Sequence, residues 1–305
     1  MFRALALAAT LAAYALAVLG SWVRINGAGL TCPDWPLCHG ALIPALSGGV
    51  VLEWSHRLVA FVEGFLVVGA LWSGWQARNR VAFVRPVLGF IAATFILQVL
   101  LGGATVFLAN NPPSVVWHWA TAMLFLAGLT ALATLAIRQP AVGTAPGTQT
   151  GLFALLAETL VASFATMCAG AFVSSSGNGL ACLTFPACEG SWFGVTPGEL
   201  AQMLHRFAAG LFFVLATIAA AWSAFAAPPR VRNAAAVAYA LVVLQIALGV
   251  ANVAWALPTA LREAHAANAV TTFIAYTVAL TIAALDGTLA RASKPARRIG
   301  STVTN

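Results

Sequence analysis

Eight windows of mostly apolar residues run along the chain, at about 4–23, 51–75, 86–108, 115–137, 152–173, 200–226, 234–256 and 264–285. Each is long enough to cross the ~30 Å hydrocarbon core of a bilayer as a helix. No segment alternates with period 2, and a barrel strand would be about half this length, so each window is read as a transmembrane α-helix. The first window resembles a signal peptide, with Arg3, an apolar run and small residues. Its apolar run of ~20 residues is longer than a usual signal core, and it has a partner in the second half of the chain, so it is read as a retained helix. No transit peptide precedes it, which points to a bacterial inner membrane.

Composition sharpens this. Of 305 residues, 61% are hydrophobic and only 8% are charged, where a soluble domain has ~25% charged residues. A chain this apolar cannot cover a water-facing surface, which excludes a soluble enzyme and a disordered chain. The charges form no basic stripe with interleaved aromatics, so no nucleic-acid partner is expected. Membrane lipid is the expected surrounding. The net charge of +7 is instead a topology signal. With the N-terminus inside, eleven of the fifteen basic residues face inward: Arg3, Arg78, Arg80, Arg85, Arg138, Arg230, Arg232, Arg291, Lys294, Arg297 and Arg298. Arg24, Arg57, Arg206 and Arg262 remain outside. The positive-inside rule then places both termini in the cytoplasm.

The chain also repeats itself. Gly29 to Gly40, with Cys32, Pro36 and Cys38, aligns with Gly179 to Gly190, with Cys182, Pro186 and Cys188, at an offset of 150 (179 − 29). His56-Arg57 aligns with His205-Arg206 at 149, and both Gln98–Gly102 with Gln245–Gly249 and His118 with His265 at 147. Each half has an even number of spans and so the same topology. The expected fold is all-α and membrane-integral: two tandem four-helix bundles related by a pseudo-two-fold axis along the membrane normal. The expected boundaries are 1–137 for the first bundle, 138–151 for a Gly-, Pro- and Thr-rich cytoplasmic linker, 152–290 for the second bundle and 291–305 for a cytoplasmic tail.

Of five histidines, four fall one per even-numbered span: His56, His118, His205 and His265. Each lies within about two turns of the outer end of its helix, so all four share one depth. A single such histidine could reach water from the interface. Four at repeat-related positions point instead to metal or haem ligation, since a pair of histidines inside a four-helix bundle can hold a haem. Zinc fits less well, because few carboxylates are at hand to complete a tetrahedral site. Arg57 and Arg206 follow their histidines directly. They suit either haem propionates or lipid headgroups at the outer interface.

The halves differ in their acids. Glu53 is three residues before His56 and shares its face, while the matching residue is Gln202. Glu63 is two turns deeper on the same stripe, and its counterpart is Phe212. An acid inside a membrane is a functional candidate by default, so chemistry is expected in the first half and a resident cofactor in the second. Glu63 also suits a neutral, buried, hydrogen-bonded acid, which is the favoured reading. A di-iron Glu-x-x-His site would need more carboxylates and a second such motif. Glu158 has no histidine near it in its helix.

Cys32 and Cys38 lie in the first outer loop, and Cys182 and Cys188 in its repeat. An outward loop is in an oxidising compartment. Of three possible connectivities, the local pairs Cys32–Cys38 and Cys182–Cys188 are favoured, because each closes a short loop and recurs in both halves. Staples shaping a loop are favoured over redox-active pairs. Cys168 is read as packing, and His39, matched by Glu189, as a loop residue.

Gly29-Leu30-Thr31-Cys32-Pro33-Asp34-Trp35-Pro36-Leu37-Cys38, Glu53-Trp54-Ser55-His56-Arg57 and Met203-Leu204-His205-Arg206, with His118 and His265, resemble the haem A synthase family over nearly the whole chain. The resemblance implies oxidation of the C8 methyl of haem O to a formyl group by two hydroxylations, giving haem A for terminal oxidases. It implies a haem b in the second half with His205 and His265 as axial ligands, and haem O around His56 and His118. Glu53 matches the family's acid, suited to orienting substrate or moving a proton. A haem O synthase and an electron donor are implied partners. The second loop, Cys-Leu-Thr-Phe-Pro-Ala-Cys, departs from the family's usual likeness between its loops, which bears on any shared partner surface. A di-haem electron-transfer cytochrome would use the same histidines but has no need for Glu53. A repeat-built transporter would break its spans near the midplane, whereas proline here lies mostly in loops and at helix ends.

Overall fold

A computed structural model describes residues 1–142 and 150–292, with Thr150 and residues 287–292 described in backbone only. The chain is helical: α1 (Phe2–Ile25), α2 (Gly49–Ala77), α3 (Val84–Phe107), α4 (Pro112–Arg138), α5 (Thr150–Ser175), α6 (Pro197–Ala226), α7 (Pro229–Ala254) and α8 (Thr259–Ala292), with a 3-10 turn at Asn178–Leu180 before α6. All eight α-helices are long and apolar enough to cross a membrane, and no strand is formed among the described residues. The protein is a multi-pass membrane protein. Residues 143–149 of the expected linker and 293–305 of the expected tail, with Lys294, Arg297 and Arg298, lie outside the described residues, as does the Arg291 side chain.

The helices overrun the apolar windows by a few residues because local chemistry, not hydropathy, sets their ends. Asn111 caps α4, its side chain accepting from Ser114 N at 2.9 Å, and proline occupies the first turn. Thr196 and Glu199 form a capping box on α6, satisfying backbone donors that the helix leaves open. Helix α8 begins five residues before its apolar window, at Thr259, since Arg262 and Glu263 lower the hydropathy of a turn that is nonetheless helical.

Chain neighbours pack in pairs, α1 on α2, α3 on α4, α5 on α6 and α7 on α8; α4 also packs on α1, α5 and α8, and α1 on α8. Helix α4 is therefore the centre. Within its most apolar stretch 72% of residues are buried, against 22% for α1. Its Met123, Leu126, Leu129 and Leu132 meet Ala6, Ala9 and Ala13 of α1, Val67 and Ala70 of α2 and Phe273 of α8 in one apolar cluster. Small residues on α1 and α2 let the backbones approach, as membrane packing favours. The outer helices instead expose large apolar groups such as Phe225, Phe107 and Leu211, a surface suited to lipid. Threonine hydroxyls in the spans, among them Thr94, Thr121, Thr134 and Thr159, donate to a carbonyl four residues back. Hydrocarbon offers them no other partner. An ion pair of Arg138 and Asp286 ties the end of α4 to α8.

Candidate functional site

Each of the four histidines sits six to eight residues inside the N-terminal end of an even-numbered helix, about 9–12 Å along its axis. Each faces a glycine on the preceding helix. A Cβ at Gly20 of α1 would lie 2.9 Å from Cε1 of His56, and one at Gly170 of α5 would lie 2.9 Å from Cε1 of His205. For Gly102 of α3 and His118 the distance is 3.3 Å, and for Gly249 of α7 and His265 it is 3.2 Å. Glycine is needed because the ring occupies the space of a side chain. The four glycines repeat at offsets of 150 and 147, beside 149 and 147 for the histidines they face.

The structure brings His56 near His118, and His205 near His265. Three of the four imidazoles, those of His118, His205 and His265, carry defined hydrogen bonds. Nδ1 of His205 lies 3.1 Å from the Thr166 carbonyl; a carbonyl only accepts, so Nδ1 holds the proton and Nε2 a free lone pair. Gln245 Nε2 is 3.1 Å from His265 Nε2, and its amide is oriented by the His265 carbonyl at 3.0 Å and by Asn268, which donates to Oε1 at 2.7 Å. Gln98 Nε2 is 3.3 Å from His118 Nε2 in the same way. In both cases the amide donates to the lone pair that a metal would take. Nδ1 of His56, His118 and His265 is buried without a partner.

The donor set fits a porphyrin better than a bare ion. Among the described residues no three of His, Cys, Asp and Glu converge as a metal cluster. Each half offers two imidazoles, and a haem brings its own four equatorial nitrogens.

The glycines yield a graded prediction. Gly170→Ala should lower the haem-to-protein ratio of the purified protein more than Gly249→Ala, since 2.9 Å is closer than a real Cβ approaches and 3.2 Å asks for a smaller shift. A Gly170→Val variant with full haem content would show that the ring has room to move away.

Glu53 is buried and fully engaged. Its Oε2 accepts from the backbone N–H of Cys32 at 2.8 Å and from Thr31 Oγ1 at 3.0 Å, and its Oε1 pairs with Arg57 Nη2 at 2.7 Å. Arg57 also donates to the carbonyls of Cys32, Asp34 and Leu37. Arg206 does likewise with the carbonyls of Cys182, Thr184, Pro186 and Ala187. The structure thus places both arginines under the cysteine-containing loops, whose backbone they hold. Gln202 makes one bond, to the Gly179 carbonyl at 3.1 Å, and leaves its Oε1 bare.

The loops themselves are stapled. Cys32 pairs with Cys38 and Cys182 with Cys188, each with a Cα–Cα distance of 4.7 Å. Both have positive φ at matching residues, His39 and Glu189 followed by Gly40 and Gly190. Asp34 accepts from His39 N at 2.6 Å and Gly40 N at 2.7 Å, which holds its carboxyl below the usual carboxylate range, the Gly40 bond contributing most. Thr184 takes the same place through its hydroxyl. His39 bonds the Thr31 carbonyl and stays a loop residue. Trp35 lies against Gly103 of α3, where a Cβ would meet its ring at 3.2 Å, so the first loop reaches the helix that carries Gly102.

Two features escape a reading by repeats. Glu263, two residues before His265, is an acid in the second half whose counterpart is Val116. It stands beside Ser21 and Arg24 of α1, with neither its oxygens nor the Ser21 hydroxyl in a well-formed hydrogen bond. Arg24 donates to Ser174 of α5, its own counterpart at offset 150. The second half therefore has an acid near its histidines after all, on α8 rather than on α6.

The COX15-CtaA family, described as cytochrome oxidase assembly protein, matches residues 3–49 and 47–277. A protein of Symbiobacterium thermophilum named Heme A synthase is 34% identical over 266 residues, covering 81% of this chain and 84% of its own length. Proteins of the same name from Bacillus licheniformis and Shouchella clausii are 29% and 31% identical over 272 and 245 residues. They cover 87% and 77% of this chain, and 90% and 81% of their own lengths.

Proposed function

Because this chain belongs to the COX15-CtaA family of cytochrome oxidase assembly proteins, we propose that it is a haem A synthase, an oxidoreductase that converts the C8 methyl of haem O to a formyl group. Two hydroxylations accomplish this: the first gives an alcohol and the second a geminal diol, which loses water to the aldehyde. The relatives named Heme A synthase support the activity.

The two halves divide the work as two four-helix bundles, 1–137 and 152–290. His56 and His118 receive haem O in the first. His205 and His265 would be the axial ligands of a haem b iron in the second, with Thr166 fixing the His205 ring and Gln245, positioned by Asn268, releasing the His265 Nε2 lone pair to the metal. The haem b, when bound, supplies an electron relay to the reacting site. The disulfide loops and histidines lie on the outer side of a bacterial inner membrane, with both termini in the cytoplasm, and a haem O synthase and an electron donor are the expected partners.

The observation that carries the division is the asymmetry at one register. Glu53 is held by three donors beside His56, where the other half has Gln202 with one bond. A simple relay would serve with glutamine in both. Glu53 fixes the Cys32–Cys38 loop and Arg57 over the substrate's outer edge and keeps a negative charge within one turn of His56. Substrate orientation follows from that rigidity.

The test is to follow purified protein loaded with haem O, given a reductant in air. The alcohol should appear before the aldehyde and decline as the aldehyde grows. Haem O recovered unchanged, with the second-half haem present and reducible, would contradict the reading.

A further inference from the structure

Glu63 is used by nothing described so far. It is 1% exposed, and neither carboxylate oxygen has a hydrogen-bond partner. It follows His56 by seven residues on α2, which places it on the same stripe and ~10 Å further into the membrane. That stripe continues through the buried Val67 and Ala70, so Glu63 belongs to the interior face of the first half rather than to the lipid face. A carboxyl left unpaired in such a place is costly to keep.

The corresponding point of the second half is filled differently. Phe212 stands there, packed edge-on against Tyr276 with ring centroids 5.7 Å apart. One half thus has an acid beneath its first histidine and the other has an aromatic pair. The two haems assigned to these halves differ in the same sense. Haem b carries only vinyl groups at the edge away from its propionates. Haem O carries there a farnesylated chain whose first carbon bears a hydroxyl group. In a haem held with its propionates toward the disulfide loops, that hydroxyl would lie further down the bundle than the iron, in the direction in which Glu63 follows His56.

We propose that Glu63 accepts a hydrogen bond from the hydroxyl of the farnesylated side chain of haem O, and so selects haem O over haems that lack it. The inference rests on the assignment of haem O to the first half. A buried acceptor left without its partner penalises the wrong ligand, whereas an apolar residue would discriminate weakly. Phe212 at the matching point offers no carboxyl acceptor of its own.

The test uses the full-length protein in detergent, with its second-half haem in place, titrated with haem O and with dehydrated haem O. In the latter, loss of water has replaced the hydroxyl by an alkene and the tail is kept. The wild type should bind haem O roughly 10-fold more tightly than the dehydrated form. Glu63→Leu should bring the two affinities together, and Glu63→Gln, whose amide oxygen still accepts, should keep most of the preference. The second-half haem spectrum serves as the control for folding. Equal wild-type affinities, or a Glu63→Leu variant that keeps the wild-type ratio, would overturn the proposal. Should Glu63→Leu fail to fold, the wild-type ratio and the Glu63→Gln variant still decide. If wild type takes up no more haem O than His56→Ala does, the placement of the substrate fails, which is distinct from uptake without discrimination.

Discussion

Replacing His205 with alanine should abolish the spectrum of the haem proposed for the second half and, with it, all conversion of haem O. His205 is the most firmly prepared of the four imidazoles: its Nδ1 proton is committed to the Thr166 carbonyl at 3.1 Å, and its ring is seated against Gly170. Such a bond fixes both the tautomer and the ring plane before any ligand arrives. Alanine removes the lone pair and opens a gap beneath Gly170 that no neighbouring side chain is placed to fill as a ligand. Haem content measured on the purified variant should fall by at least the share bound in the second half, while the first half keeps its capacity for added haem O. A His205→Ala protein with an unchanged haem b spectrum would move the resident cofactor to the first half and reverse the division of labour.

Glu53→Gln should leave that spectrum intact and reduce conversion on the order of 100-fold, or about 2.7 kcal/mol of barrier. The shape is preserved, and Gln202 shows that an amide is accommodated at this register. The charge is not preserved. Arg57 loses its ionic partner at 2.7 Å, and the amide nitrogen must face either that guanidinium or the donors Cys32 N and Thr31 Oγ1. One donor meets another wherever the amide is turned. Charge-assisted bonds of this kind are each worth ~1.5–3 kcal/mol, enough to loosen the stapled Cys32–Cys38 loop, which the proposal sets over the substrate. Turnover should suffer more than haem O affinity, because the loop orients rather than encloses. Normal turnover by Glu53→Gln would remove the acid from the mechanism and with it the argument for an active first half.

These two effects depend on residues that the sequence exposes unevenly. Spans declare themselves through runs of apolar residues, and the four histidines through their repeat. The glycines opposite them repeat within one residue of the same offsets, yet a glycine in an apolar helix has several uses, and only the packed rings reveal this one. Gln98 and Gln245 are visible as landmarks, while their bonds to His118 and His265 depend on α3 and α7 lying alongside α4 and α8. Arg57 and Arg206 look equally fit for propionates or headgroups, because the backbone carbonyls they hold belong to loops folded from 19 to 25 residues upstream. Glu263 is hidden by the very method that finds the rest. Its counterpart is Val116, so a search by repeats passes over it, and its neighbours Ser21 and Arg24 come from the opposite end of the chain.

The most direct measurement is chromatography of the haems extracted from membranes that contain this chain together with a source of haem O, compared with membranes lacking the chain. Haem A or its hydroxylated precursor should appear only where the chain is present. Protohaem and untouched haem O alone, from aerobic membranes in which the protein is abundant and haem-loaded, would contradict the account and leave an electron-transfer cytochrome in its place.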